Sequence, residues 1–470
     1  MKMQRALILA LALAVPARAV DLPDLGDISR SSLSRDREDG IGREIMRQIR
    51  DSGEIPDDPV LAEYLTSIGE SLVSAAQGGG QSFHFFLVKD PTLNAFALPG
   101  GYIGVHTGLI SASRSESELA GVLAHELAHV TQHHIARMVD DQRGVGLATL
   151  AALAVAILAA RSNSEASQAM ITTSQALAVQ RQLDFTRENE KEADRIGLQT
   201  MLASGYSPQG MASFFERLQS RSRAVEGNAP GYLRTHPLTF ERIADMQNRL
   251  AGLPYRQHAD SADYLLARAR IQAEEGERHE AVKRFEAQAA DRPSAENWYG
   301  LARASLRAGN APRAREAAAR AAALMPAAPQ MAVLQAETAL AENRTAEALE
   351  LTGKGLRRFD AYRPLVYLHL RALLRAGRAE EALARLNDQL RLLPADTTLY
   401  ALRSEAYLAL GNPASSHLDQ AEAYRLLDRL DAAMEQLQIA QRARGADFYT
   451  QSIIDARLRG LRERKQREDK

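Results

Sequence analysis

The stretch LAHELAHVTQHH, Leu123 to His134, decides what kind of protein this is. Its alanine and aliphatic positions suit a buried helix, yet it carries His125, Glu126 and His129 in the spacing His-Glu-x-x-His. Polar side chains buried without partners are costly, so these three must have something to bind. Residues four apart on a helix lie about 40° apart around the axis and about 6 Å along it, so both imidazoles can turn to one metal ion. Glu126, displaced by about 100°, is poorly placed as a ligand but within reach of the water that such an ion activates. That is why this spacing accompanies zinc hydrolysis. Upstream, Ser115-x-x-Glu118 can form a capping box, and Leu119, Val122, Leu123 and Val130 supply an apolar face.

A catalytic zinc needs a third protein ligand and an open position. The extended motif with a third histidine would require glycine at 132 and histidine at 135, where Gln132 and Ile135 stand. A second helix, TRENEKEADRIGLQTM (186–201), offers an alternative. Glu188, Glu192, Arg195 and Gln199 share a polar side that reads as solvated, while Glu190, Ala193, Asp194, Gly197 and Met201 share another. Small residues at 193 and 197 would let that second side approach the first helix and bring Glu190 to the metal. Asp194, one turn on, is then placed to accept the free N–H of a zinc histidine.

At 470 residues the chain has material for several domains, and its net charge of −1 with 25% charged residues of mixed sign argues against nucleic-acid binding. Residues 1–19 read as a cleavable signal peptide, with a basic MKMQR, an apolar ALILALALAV and a small-x-small Ala17-Arg18-Ala19, so that the mature chain starts at Val20. There is no cysteine and hence no disulfide. FHFFLV, NAFALPGG and YIGVHTGLI read as a small antiparallel sheet before the zinc helix. Within it, Asn94, Ala95 and Phe96 are either a strand edge that substrate extends or ordinary sheet core. His84, His106, His133 and His134 read as solvated or structural. The apolar run 144–160 reads as a buried or lid helix, the alternative being peripheral membrane contact. Beyond residue 255, turn residues Gly276, Gly309, Asn343, Gly377 and Gly411 recur with a period of about 34, and Ala281, Ala314, Ala348 and Ala382 keep step. This period, with NWYGLA as its best first-helix match, resembles the tetratricopeptide repeat; the phase breaks after Gly411, marking a divergent or capping end.

HExxH followed by ENEKEADRIG (188–197) and THPLTFERI (235–243) resembles the zinc metallopeptidase family that includes HtpX and the CAAX prenyl endopeptidases. With the export signal and repeat tail, the chain is similar in architecture to the periplasmic branch of that family. The resemblance implies an α+β zincin (gluzincin) metallopeptidase domain with a small antiparallel sheet over residues 20–255, then an all-α TPR solenoid over 256–470. It implies one zinc per subunit held by His125, His129 and Glu190, with Glu126 as catalytic base and Asp194 behind the ligands. On residue chemistry alone His236 reads as a loop or capping residue; the resemblance implies that it takes the open zinc position at rest or stabilises the oxyanion. Arg242 is then a loop-orienting or electrostatic neighbour. Implied partners are unfolded or misassembled outer-membrane proteins as substrates and the outer-membrane barrel assembly machinery through the repeats, in the periplasm or at the membrane periphery. The rival reading is a chaperone or scaffold with vestigial proteolysis.

Overall fold

Helices α1 (Arg35–Asp51) and α2 (Pro59–Ala75) lead into the structure. Asp58 caps α2, its carboxylate accepting from Val60 N (3.1 Å) and Leu61 N (3.2 Å), and Pro59 occupies a first-turn position that needs no N–H partner. The face read from the sequence, Leu61, Tyr64, Leu65, Ile68 and Leu72, is buried. This computed structural model describes residues 35–76, 81–141, 186–224, 231–253, 256–444 and 446–468. The signal peptide 1–19 and the run 144–160 lie outside the described residues. Among those described, no helix is long and apolar enough to cross a membrane.

The sheet is mixed, which corrects the antiparallel expectation. Its order is β1 (His84–Val88), β3 (Tyr102–His106), β2 (Ala95–Leu98), with β3 antiparallel to β2 and parallel to β1. The reason lies in the connections. Pro99 to Gly101 turns the chain tightly, with Gly100 and Gly101 at φ +75° and +76°, so β3 must return alongside β2. The longer link after β1 is folded on itself by Asp90, whose carboxylate accepts from Thr92 N (2.7 Å) and whose carbonyl accepts from Thr107 Oγ1 (3.0 Å). It carries the chain past the sheet and leaves β1's inner edge for β3. Gly104 holds the centre because a Cβ there would lie 2.4 Å from Phe96 and 2.9 Å from Phe86.

After α3 (Thr107–Ala112), the helix α4 (Glu116–Thr131) runs through the core, buried along nearly its whole length. Ser115 Oγ accepts from Glu118 N (3.3 Å), as the capping box requires, but the Glu118 carboxylate reaches one residue further back, to Arg114 N (2.7 Å). α5 (His134–Asp141), α6 (Arg187–Ala203), α7 (Gln209–Ala224), α8 (Gly231–Thr235) and α9 (Phe240–Ala251) complete this half.

The remainder is helical hairpins: α10 (Ala262–Glu274), α11 (Arg278–Asp291), α12 (Ala295–Arg307), α13 (Ala311–Leu324), α14 (Pro329–Ala341), α15 (Thr345–Leu356), α16 (Arg363–Arg375), α17 (Ala379–Leu392), α18 (Thr397–Ala409) and α19 (Pro413–Leu426), closed by α20 (Leu430–Arg442) and α21 (Phe448–Glu468). Gly276, Gly309, Asn343, Gly377 and Gly411 all have left-handed φ, between +60° and +76°. The four alanines at the same period are fully buried where paired helices touch. The phase break is visible too: the next left-handed residue, Asp428, comes half a period after Gly411.

One helix serves both halves. Tyr264, Ala267 and Ile271 of α10 enter the core around α4, while its Leu266, Ala269 and Ala273 enter the first repeat. The first helices of successive hairpins also seat the start of α2. Val60 packs with Val333 and Leu365, Glu63 pairs with Arg363 (2.8 Å), and buried Arg270 bridges Asp58 (2.5 Å), Glu337 (2.9 Å) and Tyr299 Oη (3.1 Å). The first helices of these hairpins are thus partly covered by the chain's own α2.

Candidate metal centre

Two helices and one loop build the site. α4 and α6 approach closely because Gly197 lies against the α4 backbone, where a Cβ would stand 3.2 Å from His125 N. The expected second side of α6 (Glu190, Ala193, Asp194, Gly197, Met201) is buried and faces α4, while Glu188 and Gln199 are exposed. The loop between α8 and α9 adds His236.

His125, Glu126, His129, Glu190 and His236 are each at most 2% exposed. His129 Nε2 is 3.0 Å from His125 Nε2, and Glu190 is 3.4 Å from each of them. His236 Nδ1 is 2.9 Å from Glu190 Oε1 and 3.4 Å from His125 Nε2. All four side chains offer ligand atoms within 4.8 Å of one another. Ligands about 2.0–2.1 Å from a tetrahedral ion stand about 3.3 Å apart, so the spacing suits such an ion, and three nitrogens with a carboxylate suit zinc among the divalent metals. Beside them, the Glu126 carboxylate is fully buried, with the Ala97 backbone N–H turned to it and His236 Nε2 3.4 Å from its Oε1.

Charge is apportioned by the surroundings. Burial opposes a charge on His125, but Asp194 (3.0 Å from Nδ1) and Glu190 outweigh it and lift its pKa to about 9. Burial would raise Glu190, yet His236, His125 and His129 hold its carboxyl well below the usual range. Glu126 moves the other way: burial raises it, and His236 and His125 offset this only in part. Ala97 on β2 also turns its backbone N–H towards Glu126. Asn94 and Ala95 are buried and Phe96 half-buried at that end of the sheet, whose outer strand is β2.

Arg242 ties the loop to the cluster. Its guanidinium forks onto Asp194 (2.8 and 2.7 Å), bonds Pro237 O (2.9 Å) and lies 2.5 Å from Glu190. One side chain therefore orients the acid behind His125 and the loop carrying His236. Tyr232 stacks on His236 (4.8 Å between ring centres, 28°), and its buried hydroxyl has no partner.

His134, which reads from the sequence as solvated or structural, is a buried neighbour of the site. α4 ends at Thr131, and His133, at φ +53°, reverses the backbone. His133 is left exposed and His134 is brought under His129, Nδ1 to Nδ1 at 2.8 Å. With His129 Nε2 turned to His125 and Glu190, its Nδ1–H donates to His134, whose Nε2–H in turn donates to Glu192 (3.1 Å), itself paired with Arg137 (2.9 Å). Burial lowers His134 to about 4 against the pull of Glu192, which keeps it neutral and able to accept. The helical spacing of histidines points to His133 instead, and only the left-handed turn makes the difference. Replacing His134 by alanine is expected to weaken metal binding by about 10–100-fold, read by competition with a chelator of known affinity. Of the others, His106 is buried with Nδ1 3.2 Å from Thr92 Oγ1, and His84 is exposed and stacks on Tyr102.

Residues 59–250 match the model of peptidase family M48. The beta-barrel assembly-enhancing protease of Escherichia coli is 34% identical over 455 residues, covering 95% of this chain and 92% of that protein. A relative in Vibrio cholerae is 43% identical over 252 residues, which cover 54% of this chain and about half (52%) of its own length. Among solved structures, yeast Tom70 aligns over 77% of this chain and 86% of its own at 11% identity, with a TM-score of 0.30. With an HExxH helix facing Glu190 inside the matched residues and a relative similar along nearly its whole length, the chain belongs to peptidase family M48.

Proposed function

We propose that this chain is a periplasmic zinc endopeptidase that degrades misassembled outer-membrane proteins and assists their assembly, its repeats binding clients or the assembly machinery. The observation that carries this reading is the meeting of His125, His129, Glu190 and His236 beside the buried Glu126 carboxylate. The name of the Escherichia coli relative supports the substrate class. The division that goes with it is a signal peptide at 1–19, a peptidase domain at 20–255 and repeats at 256–470.

In this reading His125, His129 and Glu190 hold one zinc ion, with Asp194 orienting His125. The ion would supply Lewis-acid polarisation of the scissile carbonyl and acidify the attacking water. Glu126 takes the water's proton and passes it to the leaving amine. Asn94 to Phe96 lie at the edge along which an extended substrate adds as a strand, the Ala97 N–H marking the side that faces Glu126. His236 has a second face: its Nε2 is 3.4 Å from Glu126. It therefore fills the space between base and ligands, a self-shielded resting state, and substrate entry requires this loop to move. Once displaced, His236 is within reach of the developing oxyanion.

The shielding and the large repeat region also favour a second reading, a chaperone or scaffold with rare or vestigial proteolysis. Elemental analysis of purified protein together with cleavage of a urea-unfolded outer-membrane barrel decides between them. One zinc per chain is expected, with cleavage lost to a chelator and restored by one equivalent of zinc. Metal-free protein, or cleavage that survives chelation, would overturn the peptidase assignment.

A further inference from the structure

The two histidines of α4 are backed in different ways. Behind His125 stands Asp194, 3.0 Å from Nδ1, on the buried face of α6 that meets α4. Behind His129 the corresponding carboxylate belongs to Glu192, which the charge pattern of α6 places on a solvated side. Residues two apart on a helix point about 200° apart, so with Glu190 facing α4, Glu192 is turned away from it. It reaches His129 only because the chain reverses at His133 and inserts the His134 ring, which is 0% exposed, between them. His129 Nδ1 lies 2.8 Å from His134 Nδ1, and His134 Nε2 lies 3.1 Å from Glu192 Oε2.

A carboxylate accepts hydrogen bonds and cannot donate them, and this orders the protons along the chain. Arg137 (2.9 Å) and Arg195 (3.9 Å) pair with Glu192 on its outer side. Facing an acceptor, neutral His134 carries its proton on Nε2. Its Nδ1 is then a lone pair, which in turn requires the His129 proton to sit on Nδ1. His129 Nε2 is thereby left as a lone pair aimed at His125 Nε2 and Glu190 Oε1, 3.0 and 3.4 Å away. In the opposite set of tautomers His134 would point an N–H at His129, and His129 would present an N–H, incapable of ligation, to the cluster.

We infer that Glu192 is a positioning residue for the metal: acting through His134, it selects the tautomer of His129 that can ligate and makes that ring a stronger donor. The inference rests on the zinc reading given above. It makes α6 the source of all three carboxylates of the centre, with Glu190 in the cluster, Asp194 behind one imidazole and Glu192, through a relay, behind the other.

The test is the zinc affinity of the whole chain, measured by competition with a chromophoric chelator at fixed pH, together with the melting temperature of the metal-free protein. Glu192→Ala should weaken zinc binding by about tenfold or more, as loss of the group behind a ligand does. Glu192→Gln, whose amide can accept from His134 but can also turn its NH2 to it, should fall between that variant and the parent. Arg137→Ala removes only an exposed partner of Glu192 and should cost no more than about threefold. With His134→Ala already in place, Glu192→Ala should add no more than about twofold, because its route to His129 is gone. Metal-free melting temperatures should stay within about 2 °C of the parent, since the Glu192 side chain is 30% exposed and closes no core.

Unchanged zinc affinity in Glu192→Ala, or a full additive loss on top of His134→Ala, would overturn the inference and leave the metal assignment intact. A parallel loss of metal-free stability would overturn it too, giving Glu192 to the fold. A parent that binds no zinc would overturn the metal assignment and the inference together.

Discussion

Replacing Glu126 by glutamine is expected to lower kcat for peptide hydrolysis by about 10³- to 10⁴-fold while the metal stays bound. Glutamine keeps the size and planarity of the side chain, so the close packing of a residue that is 0% exposed is undisturbed. What is lost is the lone pair that takes a proton from water and later delivers it to the departing amine. His125 and His129 are untouched, and no ligand atom belongs to Glu126 in the cluster. Metal content and melting temperature unchanged, with cleavage of an unfolded barrel protein abolished, is the expected result. A variant that cuts at the parental rate would remove Glu126 from the chemistry.

The second large effect lies far from the metal. Arg270→Ala should destabilise the union of the two halves by about 3 kcal/mol, because it strands Asp58 and Glu337 at a junction built around the guanidinium. The figure is at the low end for a broken buried pair, since Arg303 still pairs with Glu337 (3.0 Å) and Asp58 still caps α2. Trp298, the one tryptophan in the chain, sits on α12 beside this network and reports the loss through a lower urea midpoint in fluorescence. The same network gives the parent an acid dependence of known sign. Burial would raise the Glu337 carboxyl, but Arg270 and Arg303 outweigh it and pull it from 4.5 to about 2. A depressed folded-state pKa contributes stability that is fully present above about pH 4.5 and is lost as pH falls towards 2. In Arg270→Ala that slope should flatten. An unchanged midpoint and an unchanged acid profile would show that the halves are held by apolar contacts alone.

Much of the candidate site was legible because its information is local. His125, Glu126 and His129 announce themselves by spacing along one helix, and the buried side of α6 follows from the period of small and acidic residues around Ala193 and Gly197. The repeat turns were equally plain, since a left-handed residue at each hairpin favours glycine or asparagine and a close helix crossing favours alanine. His134 was missed because its position depends on a single φ at His133, which no periodicity encodes. The sheet was misread for a related reason: β1 and β2 are neighbours in sequence, and only the packing of their connection leaves the central place to β3.

The sequence by itself determined the pairing of His125 with His129 on one helix face, the place of Glu126 beside them, the face of the second helix and the period of the repeats, all of which reflect helix geometry acting over a few residues. Only the tertiary structure decided that Arg242 joins Asp194 to the His236 loop and that α2 packs on the first helices of the repeat hairpins. Those outcomes depend on which side chains of distant segments come to fill the same space, a matter of close packing and charge pairing among elements hundreds of residues apart, such as Glu63 and Arg363.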